Sequence, residues 1–454
     1  MNNVYFDFSS EVGRIKPMHS TNNGPVYKFA ADQRITNLET FRDAGIPYAR
    51  NHDASFNATY GGEHIVDVNF IFRNFDADPY LPESYDFTLT DDYLKVIEFS
   101  GAKVFYRFGS KIEHWPKKYN TLPPKDYKKW AVICEHIIKH YCYGWADGFN
   151  MDIEYWEIWN EPDLDPDDCP DKRTWGGVRT QFYELYNITL THLKTCFPNL
   201  KIGGPAISDL NVRVNFKGWT EGLFESFGDV KPDFLSWHLY ADKVEDMRDA
   251  IRNARALLDR YGLTNCESIL NEWNYLRGWF DEDWKYTLKI EKSLKGASFI
   301  ASTMLMSQSE PLDMLMCYDA RPSAMNSLFC TDRMYECLKG YYPFYMFNQL
   351  YKEGTQVEAT VEGDNLWASA AKGKGEQNVM IAHYNDDDNT PEASLKVTFK
   401  NVTNGGKVRL EYYILDDNHD AELVREEIFT SNEFSTYINV PIYTTYLLKI
   451  VEAD

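Results

Sequence analysis

No stretch of about twenty apolar residues occurs in the chain, so it offers no candidate membrane-spanning helix. The first residues, Met1-Asn2-Asn3-Val4, lack the basic segment and apolar run of a secretion signal. On these two grounds the chain reads as soluble and cytoplasmic. Basic charge is scarce as well. There are 47 Lys and Arg against 69 Asp and Glu, a formal net charge of -22. Nucleic acid and anionic membrane surfaces are therefore poor partners. A polyanionic substrate is disfavoured at long range, although one local arginine could override that field. The eight cysteines (Cys134, Cys142, Cys169, Cys196, Cys266, Cys317, Cys330 and Cys337) include no C-x-x-C pair, which argues against a zinc ribbon or a thioredoxin-like site. Several fall in apolar patterns and read as small hydrophobes. The chain also lacks G-x-G-x-x-G after a strand, a P-loop, H-E-x-x-H and any His-x-His pair. No cofactor and no metal is expected.

What remains is long, apolar and aromatic. A chain of 454 residues exceeds one ordinary domain and suggests a large barrel plus a smaller unit. The apolar fraction is 44%, enough for a large core. Aromatics reach 15%, with 12 Trp and 31 Tyr. Flat rings suit sugar faces, although most rings in proteins are core.

The chain is organised around residues 153–164, Ile-Glu-Tyr-Trp-Glu-Ile-Trp-Asn-Glu-Pro-Asp-Leu. A β-branched and aromatic run of this kind suits a strand buried on both faces. Pro162 cannot donate to a ladder and restricts Glu161, so the strand stops there. Asn160 and Glu161 are left at its mouth, with Trp156 and Trp159 near in sequence. A carboxyl group in a dry aromatic setting has its pKa raised, as a general acid near neutral pH requires. The plainer alternative is a solvated glutamate in a surface turn.

Strand and helix patterns alternate eight times along the chain. Candidate strands end at Asn51-His52-Asp53, Phe108, Glu161, Gly204-Pro205-Ala206, His238-Leu239-Tyr240, Glu272-Trp273-Asn274 and Asp319-Ala320-Arg321, after a first strand closed by the Thr21–Pro25 loop signal. Helical spacing runs through Trp130, Ile133, Cys134, Ile137, Ile138 and Tyr141, and again through residues 290–306. This is the pattern of a (β/α)8 barrel over residues 11–350, an α/β fold whose active site lies at the C-terminal strand ends. His52, Glu161, His238, Glu272 and Asp319 all fall there. The acidic loop 163–171 lacks the Gly and Glu of a calcium loop, which Asp168 and Thr174 replace, and reads as a solvated turn. After about residue 350 short alternating strands appear, at 357–361, 366–371, 379–384, 395–399, 408–415 and 443–450. Turns at Glu362-Gly363-Asp364, Gly373-Lys374-Gly375 and Asn404-Gly405-Gly406 separate some of them. Residues 351–454 therefore read as a β-sandwich that supports the barrel, with an N-terminal strand in residues 1–10 as a candidate member.

Glu161 and Glu272 close the fourth and seventh strands. Paired carboxylates across one mouth are the equipment of glycoside hydrolysis, one protonated and one ionised. A non-catalytic sugar-binding barrel is the rival from another class, and it has no need of both.

The ordered set Pro123-Pro124-Lys125-Asp126-Tyr127 with Lys129-Trp130, then Trp156-Glu157-Ile158-Trp159-Asn160-Glu161-Pro162, Gly203-Gly204-Pro205-Ala206-Ile207, Asp233-Phe234-Leu235-Ser236, His238 with Tyr240, and Asn271-Glu272-Trp273-Asn274 resembles glycoside hydrolase family 39. That family holds retaining β-xylosidases and their α-L-iduronidase relatives. The resemblance implies an exo-acting, β-xylosidase-like enzyme, with an α-L-arabinosidase as the alternative. It implies that Glu161 is the acid/base, Glu272 the nucleophile, and Asn160 the partner of the sugar 2-hydroxyl. His52, His238 and Tyr240 would line the sugar subsite, and Trp273, Asp319 and Arg321 join the candidate binding residues. Glu157 reads as a buried network member. Asn271 and Trp273 depart from the xylosidase pattern, and so does the Asp319–Ser323 region. In the iduronidase branch an Asp and an Arg near here bind a substrate carboxylate. The expected partner is a glycoside; the oligomeric state stays open.

Overall fold

A computed structural model describes residues 1–27, 36–54, 62–210, 218–323, 325–333, 336–373, 375–402 and 406–453. The turn residues Lys374, Asn404 and Gly405 lie outside the described residues. The chain starts with β1 (Asn2–Arg14), which belongs to the C-terminal sheet. The barrel strands are β2 (Ser20–Asn22), β3 (Tyr48–Arg50), β4 (Lys103–Arg107), β5 (Tyr155–Glu157), β6 (Lys201–Gly203), β7 (Phe234–Ala241), β8 (Glu267–Tyr275) and β9 (Met314–Cys317). They pair in parallel in the order β6-β5-β4-β3-β2-β9-β8-β7. A parallel bridge between Ile207 and Trp237 links the β6 side to β7 and brings the two ends of the sheet together.

Helices fill the intervals. They are α1 (Leu38–Asp43), α2 (Val68–Ile71), α3 (Thr88–Phe99), α4 (Tyr127–Tyr143), α5 (Arg179–Cys196), α6 (Trp219–Ser226), α7 (Val244–Arg260), α8 (Asp281–Ile290), α9 (Leu294–Ser309) and α10 (Tyr342–Glu353). Local chemistry sets their ends. The Asp126 side chain accepts from the backbone N–H of Lys128 and Lys129, and Gly144, in the left-handed region, ends the same helix. The apolar run 290–306 is not one helix. Ser293 interrupts it and caps α9 by accepting from the N–H of Gly296. Among the described residues no helix is long and apolar enough to cross a membrane.

Strand alternation sorts the side chains into two layers. Phe105, Tyr155, Phe234, Ile269, Met314 and Met316 form one cluster that fills the barrel. Their chain neighbours Val104, Trp156, Leu235, Leu270 and Leu315 belong to the larger cluster shared with the helices. Trp156 is fully buried there, and losing such a ring would cost about 3–5 kcal/mol. The same alternation decides the chemistry. The next inward position beyond Tyr155 is Glu157, and beyond Tyr48 it is Arg50.

The C-terminal strands are β10 (Thr355–Val361), β11 (Leu366–Lys372), β12 (Glu376–His383), β13 (Ala393–Lys400), β14 (Val408–Leu415), β15 (Asp420–Phe429), β16 (Phe434–Val440) and β17 (Thr445–Glu452). With β1 they make one nine-stranded sheet, ordered β15-β14-β17-β12-β11-β10-β1-β13-β16. The sheet folds over on itself in sandwich fashion. Tyr412 of β14 donates to Thr436 of β16 at 2.6 Å, although the two strands lie near opposite edges. β1 runs antiparallel to β10 and parallel to β13, and buries Val4, Phe6 and Phe8 in the sheet's own core. The sheet meets the barrel over α9 and α10. There Ala371, Met380, Ala382 and Leu447 merge into the barrel's apolar cluster.

Candidate active site

Arg50 stands at the centre of the barrel mouth with its side chain fully buried. A buried guanidinium needs partners for its donors. Its Nε donates to Glu157 at 2.8 Å, and Nη1 donates to Glu272 at 2.8 Å and to the Asn22 side chain at 3.0 Å. Nη2 donates to the side-chain oxygen Oδ1 of Asn160 at 2.6 Å. Asn271 donates to the other oxygen of Glu157 at 2.6 Å. One arginine thus fixes the residues that follow β5 and the middle of β8.

The backbone aims both carboxylates. After β5 the chain turns sharply through left-handed conformations at Trp159 (φ 77) and Glu161 (φ 47). Such residues are uncommon outside glycine and mark strain held by the surroundings. Gly109 makes room for the turn, because a Cβ there would lie 3.0 Å from the Cα of Trp159. The Glu161 N–H donates to Ala206 at 3.0 Å, and its carbonyl accepts from the Thr174 hydroxyl. In β8 a different device operates. Trp237 pairs with Leu270 and His238 with Glu272, so β8 holds one extra residue. The count against β9 is irregular at the same place. This bulge lets two consecutive side chains, Asn271 and Glu272, face the barrel axis. Glu272, read from the sequence as closing its strand, therefore lies inside it.

An oxygen of Glu161 and an oxygen of Glu272 lie within 4.8 Å of each other, and His238 is within the same distance of both. His238 Nδ1 is 2.7 Å from Glu161 Oε1 and 3.5 Å from Glu272 Oε2. Tyr240 donates to Glu272 Oε2 at 3.0 Å, and His52 Nε2 is 3.5 Å from its Oε1. Burial pushes Glu161 up to about 7, against the pull of Arg50 and Arg173. Burial also raises Glu272, opposed by His238 and Arg50. His238 is itself pushed down to about 4 by burial, so near neutral pH it is uncharged. The lasting positive charge beside Glu272 belongs to Arg50. Glu272 holds hydrogen bonds from Arg50 and Tyr240, while Oε2 of Glu161 has no hydrogen-bond partner among the described residues. Burial thus raises both carboxyl groups, and at Glu272 the donors Arg50 and Tyr240 oppose it. Among the described residues, buried Asn160 Nδ2 and His52 Nδ1 also have no hydrogen-bond partner, and leave positions for a polar ligand. Glu161, His238 and Glu272 form a donor set that could hold a metal ion. Arg50 already supplies a cation to that set, so a second one would compete with it.

The rings behave differently from the sequence reading. Trp156 stacks on Tyr106 and Phe108, and Trp159 packs on Trp130 and Trp175. Both face the layer behind the site, so burial of the mouth dries Glu161 without them. Trp273 is likewise not brought to the other candidates. It packs against Phe299 of α9, on the opposite side of the strand from Glu272. The acidic loop is less solvated than expected. Asp163 is buried and accepts from the Ser208 N–H at 2.9 Å and hydroxyl at 2.8 Å, and Asp165 grips Arg173 at 2.6 Å.

Asp319 and Arg321 reach the mouth as a locked pair. Arg321 Nε donates to Asp319 at 2.9 Å, and its Nη2 lies 3.1 Å from Asp53. Tyr318 donates to Asp53 at 2.9 Å, and its ring meets the ring of His52 edge-on at 5.9 Å. Burial would raise Asp53, but Arg321, His52 and Lys111 overcome it and hold this carboxyl well below the usual range. Asp319 rises to about 6 through burial, with Arg321 opposing. Arg50, Tyr318 and Asp53 escaped the sequence reading. The available clue was an arginine closing an apolar strand pattern directly before Asn51-His52.

Residues 30–259, half of the chain, match the family description Glycosyl hydrolases family 39. The chain belongs to glycosyl hydrolases family 39. It is 26% identical to a beta-xylosidase of Geobacillus stearothermophilus, over 45% of this chain and 44% of that protein. It is 27% identical to a beta-xylosidase of Caldicellulosiruptor saccharolyticus, over 41% of this chain and 36% of that protein. This family 39 chain thus matches less than half the length of these curated relatives. Among solved structures, the glucosidase from Croceicoccus marinus superposes with a TM-score of 0.79 at 21% identity, over 100% of both chains. A monomeric beta-xylosidase from Caulobacter crescentus CB15 gives 0.68 at 14% identity, again over 100% of both. At these identities the two structures speak for the shared fold.

Proposed function

We propose that this family 39 chain is a retaining, exo-acting glycoside hydrolase of β-xylosidase type. The observation that carries the reading is that an oxygen of Glu161 and an oxygen of Glu272 lie within 4.8 Å of each other across one mouth, which favours the shorter of two known carboxyl spacings. Retaining enzymes hold their carboxyl groups about 5–5.5 Å apart, whereas inverting ones need about 6.5–9.5 Å to admit water. Glu161 protonates the leaving oxygen while Glu272 attacks the anomeric carbon. Water, deprotonated by Glu161, then releases the sugar from Glu272. Asn160 Nδ2 donates to the sugar 2-hydroxyl in this reading, which the hydrogen bond of Arg50 to its Oδ1 supports.

The substrate follows from charge. Arg321 is occupied by Asp319 and Asp53, with Glu63 at 3.5 Å, so a sugar carboxylate would compete with acids already in place. A neutral pentoside, β-xyloside before α-L-arabinoside, fits both that pairing and the relatives named beta-xylosidase. The neighbour named a glucosidase makes a neutral hexoside the second reading.

The test is to follow the first-released anomer by proton NMR and to seek a fluorosugar adduct on Glu272 by mass spectrometry. Retention with an adduct on Glu272 is expected; release of the inverted anomer would refute the mechanism. A panel of aryl pentosides, hexosides and uronides decides the sugar, and a clear uronide preference would overturn the neutral-sugar reading.

A further inference from the structure

Outside the barrel, α4 and α5 bring three unlike donors together. His192 and Cys196 lie one turn apart on one face of α5. Glu135 faces them from α4. His192 Nε2 is 2.6 Å from Glu135 Oε2 and 3.8 Å from Cys196 Sγ, and the three ligand atoms lie within 4.8 Å of one another. His192 Nε2 and the Cys196 thiol both face the Glu135 carboxylate, each with one proton to give. A cation between them would engage all three.

We infer that Glu135, His192 and Cys196 form a binding site for a zinc-like divalent cation on the outer face of the barrel. Sulfur, imidazole nitrogen and carboxylate oxygen together suit zinc or cobalt and not magnesium or calcium. The spacing supports this. Tetrahedral zinc with ordinary bond lengths has an N···S edge of about 3.5 Å and an N···O edge of about 3.4 Å. The first is nearly formed, and the second opens once the shared proton leaves. Lys139 holds the other oxygen of Glu135, so the carboxylate would bind through Oε2 alone. Glu135 is buried, His192 half-buried and Cys196 exposed, so the fourth position is open to water. A second observation points the same way. Cys196 is the last residue of α5, where the helix dipole presents its negative end and favours a cation. Bound there, the ion would staple α5, the helix that follows the Glu161 turn, to α4.

The test is titration of the whole purified chain with cobalt chloride, then with zinc chloride. One equivalent of cobalt should give a near-ultraviolet thiolate-to-metal band with intense visible bands of tetrahedral coordination. Zinc should displace it and raise the thermal midpoint. Cys196→Ala should abolish the near-ultraviolet band, and His192→Ala should lose stoichiometric uptake, with both variants folded by circular dichroism. No uptake at micromolar metal would overturn the site and leave a plain His–Glu hydrogen bond. An unchanged band in Cys196→Ala would assign it to another cysteine and overturn the site equally. Glycoside hydrolysis does not enter the readout, so the glycosidase proposal stands or falls separately.

Discussion

Glu161→Ala removes a carboxyl group whose importance depends on what leaves. A general acid contributes about 10²–10⁴-fold in rate, which corresponds to roughly 2.7–5.5 kcal/mol. A sugar leaving group needs that proton, whereas a dinitrophenolate leaves without it. The variant should therefore lose about 10²–10⁴-fold in kcat/KM on a disaccharide and keep near-normal glycosylation by a dinitrophenyl glycoside. Turnover of the latter should still slow, because the same carboxylate deprotonates the incoming water. Stopped-flow absorbance should then show a burst of phenolate equal to the enzyme concentration. Azide, small enough for the space left by the carboxyl group, should restore turnover and yield a glycosyl azide of retained configuration. The pH profile supplies a second arm. With Glu161 at about 7 and required in its protonated form, wild-type kcat/KM should fall above that pH by about tenfold per unit. Glu161 and Glu272 interact, so the limb reports the pair. In Glu161→Ala this alkaline limb should disappear. Equal losses on both leaving groups, or an unchanged alkaline limb, would refute the assignment.

Three further outcomes follow from the geometry. Arg50→Met leaves Glu157 and Glu272 buried without their cation, so denaturant unfolding should show a loss of about 3–5 kcal/mol and steady-state assays a fall of at least about 10-fold in kcat; a near-wild-type variant would contradict the central role of this side chain. Trp273→Phe should lower the thermal midpoint and leave KM for the sugar unchanged, since the ring faces α9; a raised KM would place it at the subsite. Glu291 is fully buried, neither oxygen has a hydrogen-bond partner among the described residues, and burial pushes it up to about 8 with Lys292 opposing. A carboxyl group raised in the folded state adds no penalty below its unfolded pKa, costs stability progressively between 4.5 and about 8, and costs a constant amount above. Glu291→Gln should therefore gain on wild type as pH rises through that window; parallel stability curves for the two proteins would refute it.

The barrel was legible because its strands are apolar runs punctuated by glycine and polar residues, and a buried strand can hardly be written otherwise. The carboxylates were legible because Asn160-Glu161-Pro162 and Glu272 interrupt such runs. The direction of each ring was not. Trp159 is close to Glu161 in sequence, yet a left-handed turn at its own backbone sends the side chain the other way. The bulge in β8 is equally silent, since an extra residue is visible only once the neighbouring strands can be counted against it. β15 was missed because its side chains are mostly exposed on both faces, which leaves no alternation to read. β16 alternates regularly, Phe434-Ser435-Thr436-Tyr437-Ile438, but Thr and Ser take several of its positions and weaken the contrast.

The place of β1 has a consequence for how the molecule is made. Its partners are β10 and β13, and the nearer of them begins at Thr355, 355 − 14 = 341 residues after β1 ends. At ribosomal speeds of about 5–20 residues per second, that interval lasts about 17–70 s. Throughout it Val4, Phe6 and Phe8 have no sheet to enter, while the barrel beside them is already assembling. An unpaired apolar strand is a template for other chains. Yield on expression should therefore depend on temperature and chaperone supply more steeply than the stability of the finished protein would suggest, and a chain cut after α10 would carry that strand permanently unmated.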